Sequence, residues 1–300
     1  MKIGFIGTGT MGQPMLANLL KKGFEAIAFD TAPAALDAAL RLGAARAGSA
    51  AAAAAEGDLV ITMLPSSANV EAAYLGAGGI IEGIKAGRLC VDMSTIDPGT
   101  SQRVAARLEE RGIRFLDAPV SGGVGGAVAG TLAIMVGGDA ADLEEARPAL
   151  AAMGSNIIHV GAVGAGEVAK LCNNLISGAA LIAVAEAFRI GEAFGVDPQI
   201  LTSVIAKSSG ATWVMEHMHP VPGIVDNAAS SRQYVPGFMT DLMAKDLALA
   251  VNAAREKRVP VVVAPAAQQL YRMASSHGLG RKDFSAVYQF LKPSSDDAPV

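Results

Sequence analysis

The sequence predicts an α/β chain in two parts, a doubly wound sheet over residues 1–162 and an all-helical part over residues 163–300, joined by one long helix. Three observations predict it. Short β-rich runs alternate with helical ones from the N-terminus. A glycine turn, Gly7-Thr8-Gly9-Thr10-Met11-Gly12, links the first strand run to the first helical run, and strand-like runs stop after Gly161. Length agrees, since 300 residues exceed what one hydrophobic core usually organises.

The first βαβ unit reads as a strand at 2–6, a helix at 11–22 and a strand at 25–30. Further strand runs fall at 59–64, 89–93, 114–118, 132–136 and 157–160, with helical or glycine-rich connections that suit a mostly parallel sheet. The alanine run at 50–55 looks low in complexity, yet alanine is the best helix former and Gly57 closes the run, so a short helix is expected there. The long helix is expected over 164–194. Beyond it helices dominate, interrupted at 219–237 by a stretch rich in proline and glycine and ending in a polar tail after Pro293. No fixed-period repeat is present.

Composition excludes several classes of function. Half the residues (51%) are apolar and 17% are charged, which supports a large core and rules out a disordered chain. A net charge of -4 without any basic cluster offers no attraction for nucleic acid or an anionic membrane. The longest apolar run, 175–188, carries Ser177 and Glu186 and reads as a buried helix of a soluble protein rather than a membrane span. Cys90 and Cys172 suit a reducing compartment without structural disulfides. No metal site is expected: His217 and His219 lack a third ligand and one shared helix face, and read as solvated histidines. A strand run that begins at Lys2 leaves no room for a targeting peptide, so the expected location is the cytoplasm.

The glycine turn has the Gly-x-Gly-x-x-Gly spacing of a dinucleotide-binding Rossmann fold. Gly7 permits the tight turn, Gly9 lets a pyrophosphate approach the backbone, and Gly12 lets the helix pack on the strand, while the helix N-terminus offers amides and a positive dipole. Asp30 ends the second strand run, where it can accept hydrogen bonds from both ribose hydroxyls and would repel a 2′-phosphate. Thr31-Ala32-Pro33 contains no arginine to neutralise that phosphate, so NAD is favoured over NADP. A plain turn or helix-cap role for Asp30 competes with this reading.

Lys170 is the only lysine or arginine between Arg147 and Arg189, and it stands in the apolar long helix. Helical spacing puts Asn174 on its face one turn on, with Asn173 beside it and Ser177 beyond, so a polar stripe is expected to begin at the lysine. Burying an ammonium lowers its pKa and makes a usable base near neutral pH. A snorkelling lysine with a solvated head is the competing reading.

Four motifs then line up in order: Phe5-Ile6-Gly7-Thr8-Gly9-Thr10-Met11-Gly12, Asp117-Ala118-Pro119-Val120-Ser121-Gly122-Gly123, Gly166 through Lys170 to Asn174, and Met243-Ala244-Lys245-Asp246-Leu247. Together they resemble the β-hydroxyacid dehydrogenases over nearly the whole chain, most closely the branch that acts on 3-hydroxyisobutyrate. The resemblance implies that Lys170 is catalytic, that Ser121, Gly122 and Gly123 hold a substrate carboxylate, and that Asn174 orients substrate. It further implies that Leu64 with Pro65, and Thr95, line the nicotinamide side, and that Lys245 reaches over cofactor and substrate. An exposed salt bridge to Asp241, four residues before Lys245, competes with that last role. Trp213 and Phe238 are offered as apolar walls for a substrate methyl group, with core packing as the alternative, and Glu186 and Glu192 as structural pairs or solvated groups.

The chemistry follows from the reaction class. Oxidising a hydroxyl needs a hydride acceptor and a base within reach of the hydroxyl proton, and in reduction the same group donates that proton. The expected function is NAD-dependent oxidation of 3-hydroxyisobutyrate to its semialdehyde in valine breakdown. L-serine, tartronate semialdehyde with glycerate, and 4-hydroxybutyrate with succinic semialdehyde are alternative substrates. A non-catalytic NAD-binding module and an imine reductase are the other classes; the first has no need of a buried lysine, and the second would lack both it and the Ser121-Gly122-Gly123 loop. The long glycine- and alanine-bearing helix also predicts a homo-oligomer, dimer or tetramer, whose helical parts complete the substrate cleft.

Overall fold

The computed structural model describes residues 1–292. The polar tail expected after Pro293 lies outside the described residues. Contacts divide the chain into two compact units, Met1–Lys170 and one that begins at Leu171.

The first unit runs β1 (Lys2–Ile6), α1 (Gly12–Lys21), β2 (Glu25–Phe29), α2 (Pro33–Arg41), β3 (Ala45–Arg46), α3 (Ala50–Glu56), β4 (Leu59–Thr62), α4 (Ser67–Leu75), α5 (Ile80–Gly83) and β5 (Leu89–Asp92). It continues through α6 (Pro98–Glu109), β6 (Arg114–Asp117), β7 (Val120–Ser121), α7 (Gly123–Ala129), β8 (Leu132–Gly137), α8 (Ala140–Met153) and β9 (Gly154–Gly161). The strand order is β3-β2-β1-β4-β5-β6-β8-β7, with β9 paired to β8. From β3 to β6 every pairing is parallel, so β1, β2, β4, β5 and β6 all end at one edge. That edge is where a doubly wound sheet binds ligands.

Alternation along the strands builds a core on each face. Ile3, Phe5, Leu59, Ile61, Leu89 and Val91 face Met15, Leu16, Leu19 and Leu143. Ile6, Val60 and Cys90 face Ala53, Val70, Tyr74 and Val104 on the other side. Each fully buried large side chain of this kind contributes about 1.5–3 kcal/mol. The alanine run does form α3, with Ser49 capping Ala52 N and Gly57 at its end. Its small residues have a packing reason, because a Cβ at Gly4 of β1 would meet Ala53 O at 2.6 Å. Helix and strand backbones meet there with no side chain between them.

Among the described residues nine strands replace the seven expected. The two-residue β3 and β7 carry too short a pattern to show periodicity, and β7 pairs antiparallel with β8, as β6 does. Strand β7 places Ser121 on a strand and α7 begins at Gly123, so of the expected glycine loop only Gly122 lies between strand and helix. Strand β9 starts three residues earlier than expected and is mostly exposed.

Helix α9 (Ala165–Ala193) crosses into the second unit, which continues through α10 (Pro198–Ala206), α11 (Trp213–His217), α12 (Thr240–Glu256), α13 (Val263–Ala274) and α14 (Val287–Phe290). By length and composition α9 is apolar enough to cross a membrane. Its Leu181, Ile182, Ala185 and Phe188 instead pack with Met243, Leu247, Tyr271 and Phe284 in the core of this unit, and Tyr271 donates to Gly178 O at 2.9 Å. The proline- and glycine-rich stretch stays non-helical apart from the short turn Ser230–Arg232.

Candidate active site

The glycine loop leaves β1 with Gly7 at φ +93°, a left-handed conformation in which a Cβ would also strike the Met63 carbonyl. A Cβ at Gly12 would land on the Gly7 carbonyl and touch the Phe5 ring, so only glycine lets α1 start this close to the strand. Gly9 has open space on its Cβ side, as a backbone that must admit a phosphate requires. No side chain caps α1 at Met11, and Thr10 is exposed beside the open turn. The spacing, the tight turn and the open middle glycine fit a dinucleotide pyrophosphate.

Asp30 closes this loop from the end of β2. Its Oδ2 accepts from Thr8 N at 2.7 Å and from Thr8 Oγ1 at 3.3 Å, and its Oδ1 accepts from Ala32 N at 2.8 Å. The turn role weighed in the sequence is therefore present. It does not exhaust the group, because an ionised carboxylate offers about four lone-pair directions.

At the ends of β4 and β5 a buried network fixes the next two loops. Thr62 Oγ1 donates to Asp92 Oδ1 at 2.6 Å, and its single proton is thereby committed. Tyr74 OH, 3.0 Å away, must then donate to Thr62. Ser94 Oγ donates to Asp92 Oδ1 at 2.6 Å and accepts from Leu64 N at 2.8 Å. The backbone of Leu64 and the segment leading to Thr95 are tied to one carboxyl group. Asp92 is fully buried, and burial pushes its pKa up to about 6 against the lowering effect of the Ser94 and Thr62 hydrogen bonds. Sequence reading missed this network, whose two strand ends are joined by links thirty residues apart in the chain. Leu64 itself is half-buried, as is Thr95, and Pro65 is exposed.

Asp117, at the end of β6, seats the start of α9. Its Oδ1 accepts from Gly164 N at 2.7 Å and its Oδ2 from Glu167 N at 3.0 Å. Burial raises the Asp117 pKa, and these backbone N–H groups oppose the rise. The lysine that this seating presents, Lys170, is only 5% exposed, which excludes the snorkelling alternative. The polar stripe begins one turn before it, not at it: Glu167 is fully buried, and its Oε2 accepts from Ile96 N at 3.1 Å. Ser121 is half-buried at the end of β7, followed by Gly122 at φ +130° and Gly123 at φ +59°.

In the second unit Asn174, 5% exposed, donates from Nδ2 to Asp246 Oδ2 at 2.6 Å, while its Oδ1 accepts from Asn173 Nδ2 at 3.1 Å. Lys245 pairs with the neighbouring Asp246 at 3.1 Å. The alternative weighed for Lys245 was a pair with Asp241, whose carboxylate accepts from Ser275 Oγ. Asp246 thus joins Asn174 and Lys245, a role no helical spacing announced. Trp213 is 61% exposed and stacks on the His217 ring at 4.5 Å, while Phe238 packs edge-on against Phe284. His219 corrects the expectation of solvated histidines: it is buried against Phe188, and burial lowers its pKa to about 4. Glu192 pairs with Arg189 and accepts from Tyr288 OH, and Glu186 is exposed. Among the described residues no group of three His, Cys, Asp or Glu could hold a metal ion.

Comparison with known proteins decides the family. Residues 2–161 match the NAD binding domain of 6-phosphogluconate dehydrogenase, and residues 164–291 match the NAD-binding family of NADP-dependent 3-hydroxyisobutyrate dehydrogenase. The mitochondrial 3-hydroxyisobutyrate dehydrogenase of Bos taurus is 45% identical over 97% of this chain and 86% of its own. The chain belongs to the 3-hydroxyisobutyrate dehydrogenase family. An NAD-dependent L-serine dehydrogenase of Pseudomonas aeruginosa is also 45% identical, over 98% of each chain. The solved 3-hydroxyisobutyrate dehydrogenase of Mycobacterium tuberculosis with L-serine superposes with a TM-score of 0.92 at 42% identity, covering 97% of this chain and 99% of that one. The protein is accordingly a β-hydroxyacid dehydrogenase, an oxidoreductase acting on CH–OH donors with a nicotinamide dinucleotide.

Proposed function

We propose that this enzyme oxidises 3-hydroxyisobutyrate to methylmalonate semialdehyde with NAD, as a step of valine breakdown, and that Lys170 takes the hydroxyl proton. The observation that carries the reading is a lysine 95% buried on a helix whose start is seated by Asp117, at the carboxyl edge of a dinucleotide-binding sheet. The bound nicotinamide supplies the hydride acceptor. Lys170, as the amine, accepts the hydroxyl proton during oxidation; as the ammonium, it returns it during reduction and stabilises negative charge growing on the carbonyl oxygen. Ser121 and the amides at Gly122 and Gly123 grip the substrate carboxylate. Asn174, its amide turned by Asp246 and Asn173, orients the substrate, with Lys245 and Trp213 as further substrate contacts.

On the cofactor side, Gly7 to Gly12 hold the pyrophosphate, Leu64, Pro65, Thr95 and Lys245 border the nicotinamide half, and Asp30 takes the ribose hydroxyls. The preference for NAD rests on Asp30, a carboxylate where NADP would bring a phosphate. Two unpaired thiols, Cys90 and Cys172, accord with the proposed cytoplasmic location. Exposed apolar side chains at Ile190, Phe194, Ile200 and Val204 support a homo-oligomer, dimer or tetramer, that covers them.

L-serine is the second reading, favoured by the name of the Pseudomonas relative and by the serine present in the Mycobacterium structure. One methyl or hydroxyl in an apolar pocket shifts preference by only about 1–3 kcal/mol, so small changes of wall residues can exchange these substrates. The test is the initial rate of NADH or NADPH formation with 3-hydroxyisobutyrate, L-serine, glycerate and 4-hydroxybutyrate against NAD and NADP. Highest kcat/KM with 3-hydroxyisobutyrate and NAD is expected. Preference for another acid would keep the Lys170 chemistry and overturn the substrate.

A further inference from the structure

We propose that Glu167 is a positioning residue that holds Lys170 as an ammonium and so sets the pH at which the enzyme works. The inference rests on the reading of Lys170 as the acid/base. Four observations converge on it. Glu167 is fully buried, and Lys170, 5% exposed, follows three residues later on the same helix. Residues so spaced share a helix face with Cβ atoms about 5–6 Å apart. The Glu167 backbone is fixed because its N–H donates to Asp117 Oδ2 at 3.0 Å. The side chain is fixed because Oε2 accepts from Ile96 N at 3.1 Å, a donor that favours the ionised carboxyl.

Burying one charge here would be unfavourable, whereas burying opposite charges one turn apart lets each stabilise the other. Gly166 leaves no latitude between them and the sheet, since a Cβ there would strike the Met135 carbonyl and meet Asp117 Oδ2 at 2.8 Å. The first turn of α9 is therefore pressed on β6 and β8, and Glu167 is clamped to the residue after Thr95. Other ionisable groups at this end of the sheet are Asp117 on β6, Asp92 on β5, Asp30 after β2, which accepts from Thr8 N and Ala32 N, and Asp97, which caps α6. The Asp117 oxygens are engaged by the backbone N–H groups of Gly164 and Glu167, and Asp92 by Thr62 and Ser94. Glu167 is the carboxylate that shares the lysine's helix, three residues before it. Its negative charge favours the ammonium, against the desolvation that would otherwise make Lys170 a base at lower pH. The pair titrates as a unit, so the pH limbs of the reaction belong to both residues.

Glu167→Gln tests this, because it keeps an acceptor for Ile96 N and removes the charge. The acid limb of kcat/KM for oxidation and the alkaline limb for reduction should both move to lower pH by about one unit or more. At the wild-type acid limb, that is roughly a tenfold change in the ratio of amine to ammonium. Glu167→Asp, which restores a carboxylate on a shorter arm, should move the limbs back toward wild type, and NADH binding by fluorescence reports that each variant is folded. A purely structural glutamate would lower rates at every pH without moving either limb, and that result would overturn the proposal. Lys170→Met separates the two ideas. Near-normal turnover in that variant removes Lys170 from the chemistry, and this inference with it. Loss of turnover in Lys170→Met, with unmoved limbs in both Glu167 variants, removes Glu167 alone.

Discussion

Replacing Asp92 with asparagine should cost the enzyme no stability at pH 8 and should abolish part of its stabilisation in mild acid. Burial lifts this carboxyl from an ordinary 3.8 to about 6. A folded-state pKa above the unfolded one means that the native protein binds a proton more tightly. Stability from this group is therefore present below the unfolded value, is lost as pH rises through 6, and is absent at pH 8. A shift of about 2 units corresponds to about 3 kcal/mol over the full range, and linkage between pH 8 and pH 5 recovers roughly 1.4 kcal/mol of it. Asparagine does not titrate, and its Oδ1 keeps the acceptor used by Thr62 and Ser94. Guanidinium unfolding of both proteins at pH 8 and pH 5 measures the effect. Far-UV circular dichroism is the readout, because the sole tryptophan, Trp213, lies in the second unit. Wild type should gain about 1–2 kcal/mol on Asp92→Asn as the pH falls. A difference between the proteins that is the same at both pH values would refute the argument that Asp92 is held toward its neutral form.

Two substitutions and one mass measurement probe the site and the assembly. Lys170→Met should lower kcat by about 10²–10⁴-fold while NADH affinity by fluorescence titration stays within a few fold; retained turnover would take the lysine out of the chemistry. Asp30→Arg should move the ratio of kcat/KM for NADP over NAD upward while lowering both, since Thr8 N and Ala32 N lose their acceptor; an unchanged ratio would mean that Asp30 does not meet the ribose. Light scattering on the eluting protein should give a multiple of 30.4 kDa, and a single 30.4 kDa species would remove the oligomer.

The glycine loop was legible because its chemistry is local. Six consecutive residues contain the turn, the open middle position and the close approach of helix to strand, and the φ of Gly7 and the packing of Gly12 bear those tasks out. Lys170 and Asn174 were legible for a related reason, since helical period alone predicts a shared face and an apolar helix makes any polar stripe conspicuous. Starting that stripe at the lysine was the error. Reading backwards by the same period would have exposed Glu167, three residues before Lys170 and just as enclosed by glycine and alanine. The supports of the site were illegible for another reason. Asp117 seats a helix start 47 residues away, and Asp92 gathers Thr62 across neighbouring strands, thirty residues distant. Such pairings depend on strand order, which no local pattern contains. Lys245 shows the limit from the other side, because four-residue spacing points to Asp241 whereas the ion pair in the structure runs to the neighbouring Asp246, buried beside Asn174. Spacing states which groups can meet. Which of them do meet is decided by burial, because a carboxylate withdrawn from water must find donors, and its choice of donors fixes the residues around it.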